Sequence, residues 1–182
     1  FFPSGILAES EKNASSLFGC DTFYSTEGSS HCLRAMLCLA VRYSLSCGKK
    51  PVIAAARNAH RSFLSAAVLL DFEIRWLPPH PEDSYPSCTV TAEDIASLIA
   101  GDNPPTALFL TCPDYLGRMS ELRALAEVCH RRGLLLLVDG AHGALHRFLT
   151  PSLFAIDRGA DLVCTSAHKT LPVLTGGAYL HL

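Results

Sequence analysis

Lys169 stands in the string Ser166-Ala167-His168-Lys169-Thr170, just beyond the apolar run Leu162-Val163-Cys164. Most lysines sit on solvated helix faces, so this one reads as a side chain delivered to the protein's interior. A lysine drawn into a cleft has a depressed pKa and serves as a nucleophile or forms a Schiff base. The ordinary alternative is a lysine that snorkels out of a loop. Asp139 follows directly on Leu134-Leu135-Leu136-Leu137-Val138, at the end of a buried segment, where a carboxylate is costly unless it meets a cation or a proton donor. Gly28-Ser29-Ser30 lies between a strand candidate and a helix start, where free backbone N–H groups and the helix dipole favour a phosphate. The same pattern also makes an ordinary N-cap. His142 and His146 stand four apart, as paired zinc ligands do on a helix face. With no glutamate between them and no third ligand evident, no metal is expected.

These groups need elements to hold them. Strand candidates run over 21–25, 51–56, 73–77, 106–112, 134–138, 161–165 and 177–182, and they alternate with amphipathic stretches. Helices are expected over 29–46, 62–70 and 119–132, the last closed by Gly133, and another opens at Thr91 with Asp94 near its third position. Such alternation predicts an α/β sandwich with a mostly parallel sheet and right-handed crossovers. Ligands of these sheets bind beyond the carboxyl ends of the strands. The exits there are all polar: residues 25–30, Arg57-Asn58-Ala59-His60, Cys112-Pro113-Asp114-Tyr115, Asp139-Gly140-Ala141-His142 and the segment leading to Lys169. Together they supply an anion cradle, an acid, several imidazoles and one lysine.

Composition narrows the classes further. With 182 residues, 49% hydrophobic and 18% charged, the chain is globular and has the length of one domain. Fifteen basic residues against seventeen acidic ones give a net charge of -2, and no segment gathers the basic ones, so neither nucleic acid nor an anionic membrane is expected as a partner. No apolar run approaches the ~18 residues that cross a bilayer, and the opening residues 1–12 do not read as a signal peptide. The eight cysteines form no C-x-x-C pair and mostly lie in apolar runs, which reads as small buried hydrophobes in a reducing, cytoplasmic setting. A mean hydropathy of +0.24 in so short a chain points to a surface that another subunit or segment covers.

A phosphate cradle, a strand-end aspartate about 110 residues later and a lysine about 30 beyond it are the three groups that electron-sink catalysis on pyridoxal 5'-phosphate requires. The strings GILAESEKNASSLFGCDTFYSTEGSS, ARNAHRSF, PDYLGRMSEL, LLLVDGAHGALHRF and GADLVCTSAHKTLPVLTGGA resemble, in order and over essentially the whole chain, the major domain of the Orn/Lys/Arg decarboxylase family. That family is a branch of the fold-type-I pyridoxal-phosphate enzymes.

The resemblance implies a three-layer α/β/α sandwich and decarboxylation of lysine, arginine or ornithine to the amine and CO2. It implies that Lys169 forms the Schiff base with the cofactor's aldehyde and that Asp139 pairs with the pyridine nitrogen. Ala141 would pack on one ring face and His60 on the other. Gly28, Ser29 and Ser30, with Ser166 or His168, would hold the phosphate, and His142 would stand on the substrate side. It further implies a homodimer with the site at the interface, and that residues 1–182 are a partial major domain without the small C-terminal domain. Departures stand beside these expectations. Glu27 takes the place of the usual asparagine at the phosphate loop, Gly140 that of a glutamate after Asp139, and Thr175-Gly176-Gly177 that of a more polar stretch. A carboxylate at Glu27 is unfavourable beside a phosphate unless it points away. Another fold-type-I activity, such as transamination or side-chain elimination, and a relative without turnover remain the alternatives.

Overall fold

In the computed structural model, which describes residues 3–99 and 103–182, seven strands pair into one sheet. They are β1 (Thr22–Ser25), β2 (Val52–Ala55), β3 (Glu73–Trp76), β4 (Ala107–Thr111), β5 (Leu135–Asp139), β6 (Leu162–Thr165) and β7 (Ala178–His181). Their spatial order is β1-β7-β6-β5-β4-β2-β3. The run from β3 to β6 is parallel, whereas β7 is antiparallel to both β6 and β1. The helices are α1 (Ile6–Phe18), α2 (Ser29–Ser46), α3 (Arg61–Leu70), α4 (Ala92–Ile99), α5 (Leu122–Arg131) and the single turn α6 (Ala167–Thr170).

The central strands are buried on both faces, and their side chains divide by alternation between two cores. Ala54, Leu108, Leu110, Leu136, Val138 and Val163 pack with Ile95 of α4 and Leu125 and Cys129 of α5. Ile53, Ala55, Phe109, Leu137 and Cys164 pack on the other side with Leu33, Met36 and Leu37 of α2 and Phe63 of α3. This is the three-layer α/β/α sandwich.

Two local signals act as the sequence predicts. Asp94 Oδ2 accepts from the Thr91 amide at 2.8 Å while Thr91 Oγ1 accepts from the Asp94 amide at 3.3 Å, a reciprocal cap on α4. Gly133 takes φ 68 just past α5, and the Leu134 amide closes on the Cys129 carbonyl at 3.0 Å. Two differences have physical causes. Helix α5 begins at Leu122 rather than Met119, because Asp114 Oδ1 holds the Leu116 and Arg118 amides in a turn and the Ser120 amide bonds Cys112 Sγ. Helix α1, not among the helices expected from periodicity, packs Phe18 against Phe154, Tyr179 and His181. Among the described residues no helix is long and apolar enough to cross a membrane.

Candidate active site

The carboxyl ends of β4, β5 and β6 open toward the starts of α2 and α3, and a small pocket lies between them. Its floor is set by register. On the parallel ladder Asp139 pairs with Thr111 on β4 and with Cys164 on β6, so the three side chains share the sheet face that α2 and α3 cover. Asp139 is 5% exposed. Its Oδ1 accepts from the Ala141 amide at 3.2 Å and from the Cys164 thiol at 3.5 Å, while among the described residues Oδ2 takes no hydrogen bond and the carboxyl makes no ion pair. Burial therefore pushes its pKa up.

Lys169 sits on α6 and lines the same pocket, with Nζ 3.1 Å from His142 Nε2. Burial and then the charge of Lys169 push the His142 pKa down, so the neutral ring accepts from the ammonium. The expectation that Lys169 lies in the interior is corrected here: the residue is exposed, at the rim. Strand β6 ends at Thr165, and the turn that follows carries the lysine past the covered layer.

His60 is the N-cap of α3, and its Nδ1 accepts from the Ser62 amide at 3.2 Å with Ser62 Oγ at 2.8 Å. A ring nitrogen that accepts an amide proton carries none, so the His60 proton is on Nε2. Ser62 Oγ lies 2.7 Å from Ser30 Oγ, and Ser166 Oγ donates to Ser29 Oγ at 2.6 Å. The start of α2 is thus tied to α3 on one side and to the Lys169 segment on the other. Gly28 adopts φ 76, a left-handed value that glycine tolerates, and donates its amide to the Gly176 carbonyl at 2.9 Å. Its N–H is therefore committed, so an anion at the start of α2 would have the Ser29 and Ser30 amides to meet it. A methyl group on Gly176 would come within 2.8 Å of the Thr26 carbonyl oxygen, which accounts for glycine in this departure from the family pattern. Glu27 points away from the cradle, with Oε2 3.8 Å from Arg34 and the side chain 69% exposed.

Ser29, Ser30, His60, Asp139, Ala141, His142 and Lys169 all line the pocket. Gly28, Ser166 and His168 do not; Ser166 reaches it through Ser29, and His168 is held by its amide to the Gly177 carbonyl. Ser62, Thr111 and Tyr115 also line it. The H-x-S spacing at the start of α3 signals Ser62 as His60's capping partner, whereas Thr111 is identified only by strand register. Tyr115 packs edge-on to His142 with ring centroids 6.2 Å apart. A wider groove lined by Thr91, Asp114, Arg118 and Glu121 contains neither Lys169 nor Asp139. His146 lies on a 3-10 turn over Ala144–Phe148, and among the described residues no three His, Cys, Asp or Glu side chains are grouped to hold a metal ion.

This donor set fits pyridoxal phosphate. An amine stands at the rim, a buried carboxyl lacks a cation, an imidazole caps the neighbouring helix, and a helix start presents free amides beside serine hydroxyls. Solved structures with the same architecture agree in fold. The chain superposes on Oryza sativa TDC with PLP at a TM-score of 0.76, with 16% identity, over 97% of this chain and 43% of that one. Mouse CSAD gives 0.74 with 24% identity, over 97% and 40%. The model of the Orn/Lys/Arg decarboxylase major domain matches residues 1–182, and the chain belongs to that family. The protein YaaO of Bacillus subtilis, uncharacterised, is 35% identical over 99% of this chain and 37% of its own length. An arginine decarboxylase of Halalkalibacterium halodurans is 31% identical over 99% of this chain and 36% of its own. The chain thus spans little more than a third of the curated relatives it matches.

Proposed function

We propose that the protein containing this chain decarboxylates a basic amino acid to its amine and CO2 using pyridoxal phosphate carried on Lys169. The observation that carries this reading is that the Lys169 amine and the buried, ion-unpaired carboxyl of Asp139 line one pocket at the start of α2. When bound, the cofactor supplies the electron sink into which the bond to the departing carboxylate discharges.

The chain's own groups prepare for that chemistry. Asp139 Oδ2 is free to accept from a protonated ring nitrogen, and a cation there returns the carboxyl to its charged form. The Ser29 and Ser30 amides, with Ser166 braced behind Ser29, receive the phosphate. Ala141 and His60 supply the two surfaces between which a flat ring is held. His142 accepts a hydrogen bond from Lys169 and so holds the proton at the lysine nitrogen in place. Exposed Ile6, Leu7, Val68, Leu69 and Leu174 supply the apolar surface that a homodimer or the rest of a longer chain buries.

Four curated relatives are named arginine decarboxylases, so arginine is tested first, with lysine and ornithine beside it. The full-length protein, incubated with pyridoxal phosphate, is expected to show a visible absorbance band that borohydride removes and to release CO2 from one of the three amino acids. Lys169→Ala is expected to lose both band and turnover. Persistence of the band in Lys169→Ala would overturn the lysine assignment, and a band without CO2 release would transfer the chain to another fold-type-I activity.

A further inference from the structure

Among the described residues, Thr111 Oγ1 is the one side-chain nitrogen or oxygen sealed from solvent that has no hydrogen-bond partner. The residue is 8% exposed, and it lines the pocket that holds Asp139 and Lys169. A buried hydroxyl left unpaired is a standing cost to the fold, so a polar ligand atom is what this position lacks.

We propose that Thr111 orients the cofactor by donating its hydroxyl proton to the oxygen of the cofactor's ring hydroxyl. The inference rests on the pyridoxal-phosphate reading and adds to it. Pyridoxal phosphate presents four polar groups. Its ring nitrogen is matched by Asp139, its phosphate by Ser29 and Ser30, and its aldehyde by Lys169, which leaves the ring hydroxyl without a partner. The unsatisfied donor in the pocket lies in register beside Asp139, one strand over. The ring hydroxyl is likewise one carbon beyond the ring nitrogen's neighbour. Cys164, on the opposite side of Asp139, is already bonded to Oδ1, so the vacancy is on the Thr111 side alone.

Thr111→Val removes the hydroxyl at nearly constant shape, and Thr111→Ser keeps it. In the full-length apoprotein, Thr111→Val is expected to melt at the same temperature as the natural chain or higher, since it deletes an unpaired polar group. Its affinity for pyridoxal phosphate is expected to fall about tenfold, the effect of one hydrogen bond, with Thr111→Ser close to the natural value. The decisive comparison uses 3-deoxypyridoxal phosphate, which lacks the ring hydroxyl. The natural protein should prefer pyridoxal phosphate over this analogue by about the same factor, and Thr111→Val should not discriminate between them. Equal discrimination by both proteins would overturn the proposal while leaving the cofactor reading intact. So would a lowered melting temperature of apo Thr111→Val, which would make Thr111 structural. Failure of the natural protein to bind pyridoxal phosphate at all would overturn the cofactor reading, and this proposal with it.

Discussion

Asp139 is buried with one oxygen bonded and the other free, and the two halves of that description have opposite consequences for stability and for catalysis. In the apoprotein the carboxyl has a raised pKa, so the fold favours its protonated form. Its contribution to stability is then present below the unfolded value of about 3.9 and is lost as pH rises through the folded one. Asp139→Asn removes the titration. Apo Asp139→Asn is therefore expected to be at least as stable as the natural protein at pH 7, by thermal melting. Turnover should fall on the order of a hundredfold or more, because a neutral amide cannot stabilise a protonated ring nitrogen. A destabilised but fully active variant would show that the carboxyl serves packing instead. Asp139 is legible in the sequence because a continuous aliphatic run ends on it. The surroundings of Lys169 are not: the same kind of run precedes it, but a one-turn helix lifts it to the rim, and nothing in Ser166-Ala167-His168 fixes how far that turn climbs.

At the level of elements, helix α2 runs over Ser29–Ser46, where periodicity and the preceding glycine place it. What the sequence hides is how its start is held. The turn at Gly176 and the loop before α2 are joined by the Gly28 amide on the Gly176 carbonyl, a contact between segments nearly the whole chain apart. Gly176 has φ 90, and a side chain there meets the Thr26 carbonyl oxygen at 2.8 Å. Gly176→Ala is thus expected to cost about 1–3 kcal/mol in a denaturant titration, from the backbone conformation and the forced separation of the two loops. It should also weaken pyridoxal-phosphate binding, because the α2 start moves with its loop. A variant that is destabilised yet binds the cofactor with unchanged affinity would show that the join does not set the cradle. Close approaches of this kind escape a single sequence, since a glycine pair reads the same in any surface turn.

The whole sheet is closed by its antiparallel edge, where β7 lies between β6 and β1 and joins the first and last described parts of the chain. His181 sits at that junction, fully buried, with Nδ1 3.0 Å from Thr22 Oγ1 and Nε2 3.0 Å from Thr165 Oγ1. The Thr22 hydroxyl donates to the Cys20 carbonyl at 3.2 Å, so His181 Nδ1 carries the proton and Nε2 accepts from Thr165. Phe18, Phe154 and Tyr179 surround the ring. Burial pushes its pKa down to about 3. The unfolded chain takes up a proton at this residue below about pH 6.5 and the folded one does not, so stability is full above that value and is lost as pH falls toward the folded pKa. Between pH 8 and pH 5 the loss from this residue is about 2 kcal/mol, at about 1.4 kcal/mol per pH unit below 6.5. His181→Gln keeps a donor and an acceptor for the two threonines but cannot titrate. Unfolding free energies from urea titrations at the two pH values should therefore differ less in the variant by that amount. His142 and His146 are pushed in the same direction by burial and remain in both proteins, so the comparison isolates His181. An unchanged pH slope in His181→Gln would mean that the acid sensitivity of the sheet resides in those two residues instead.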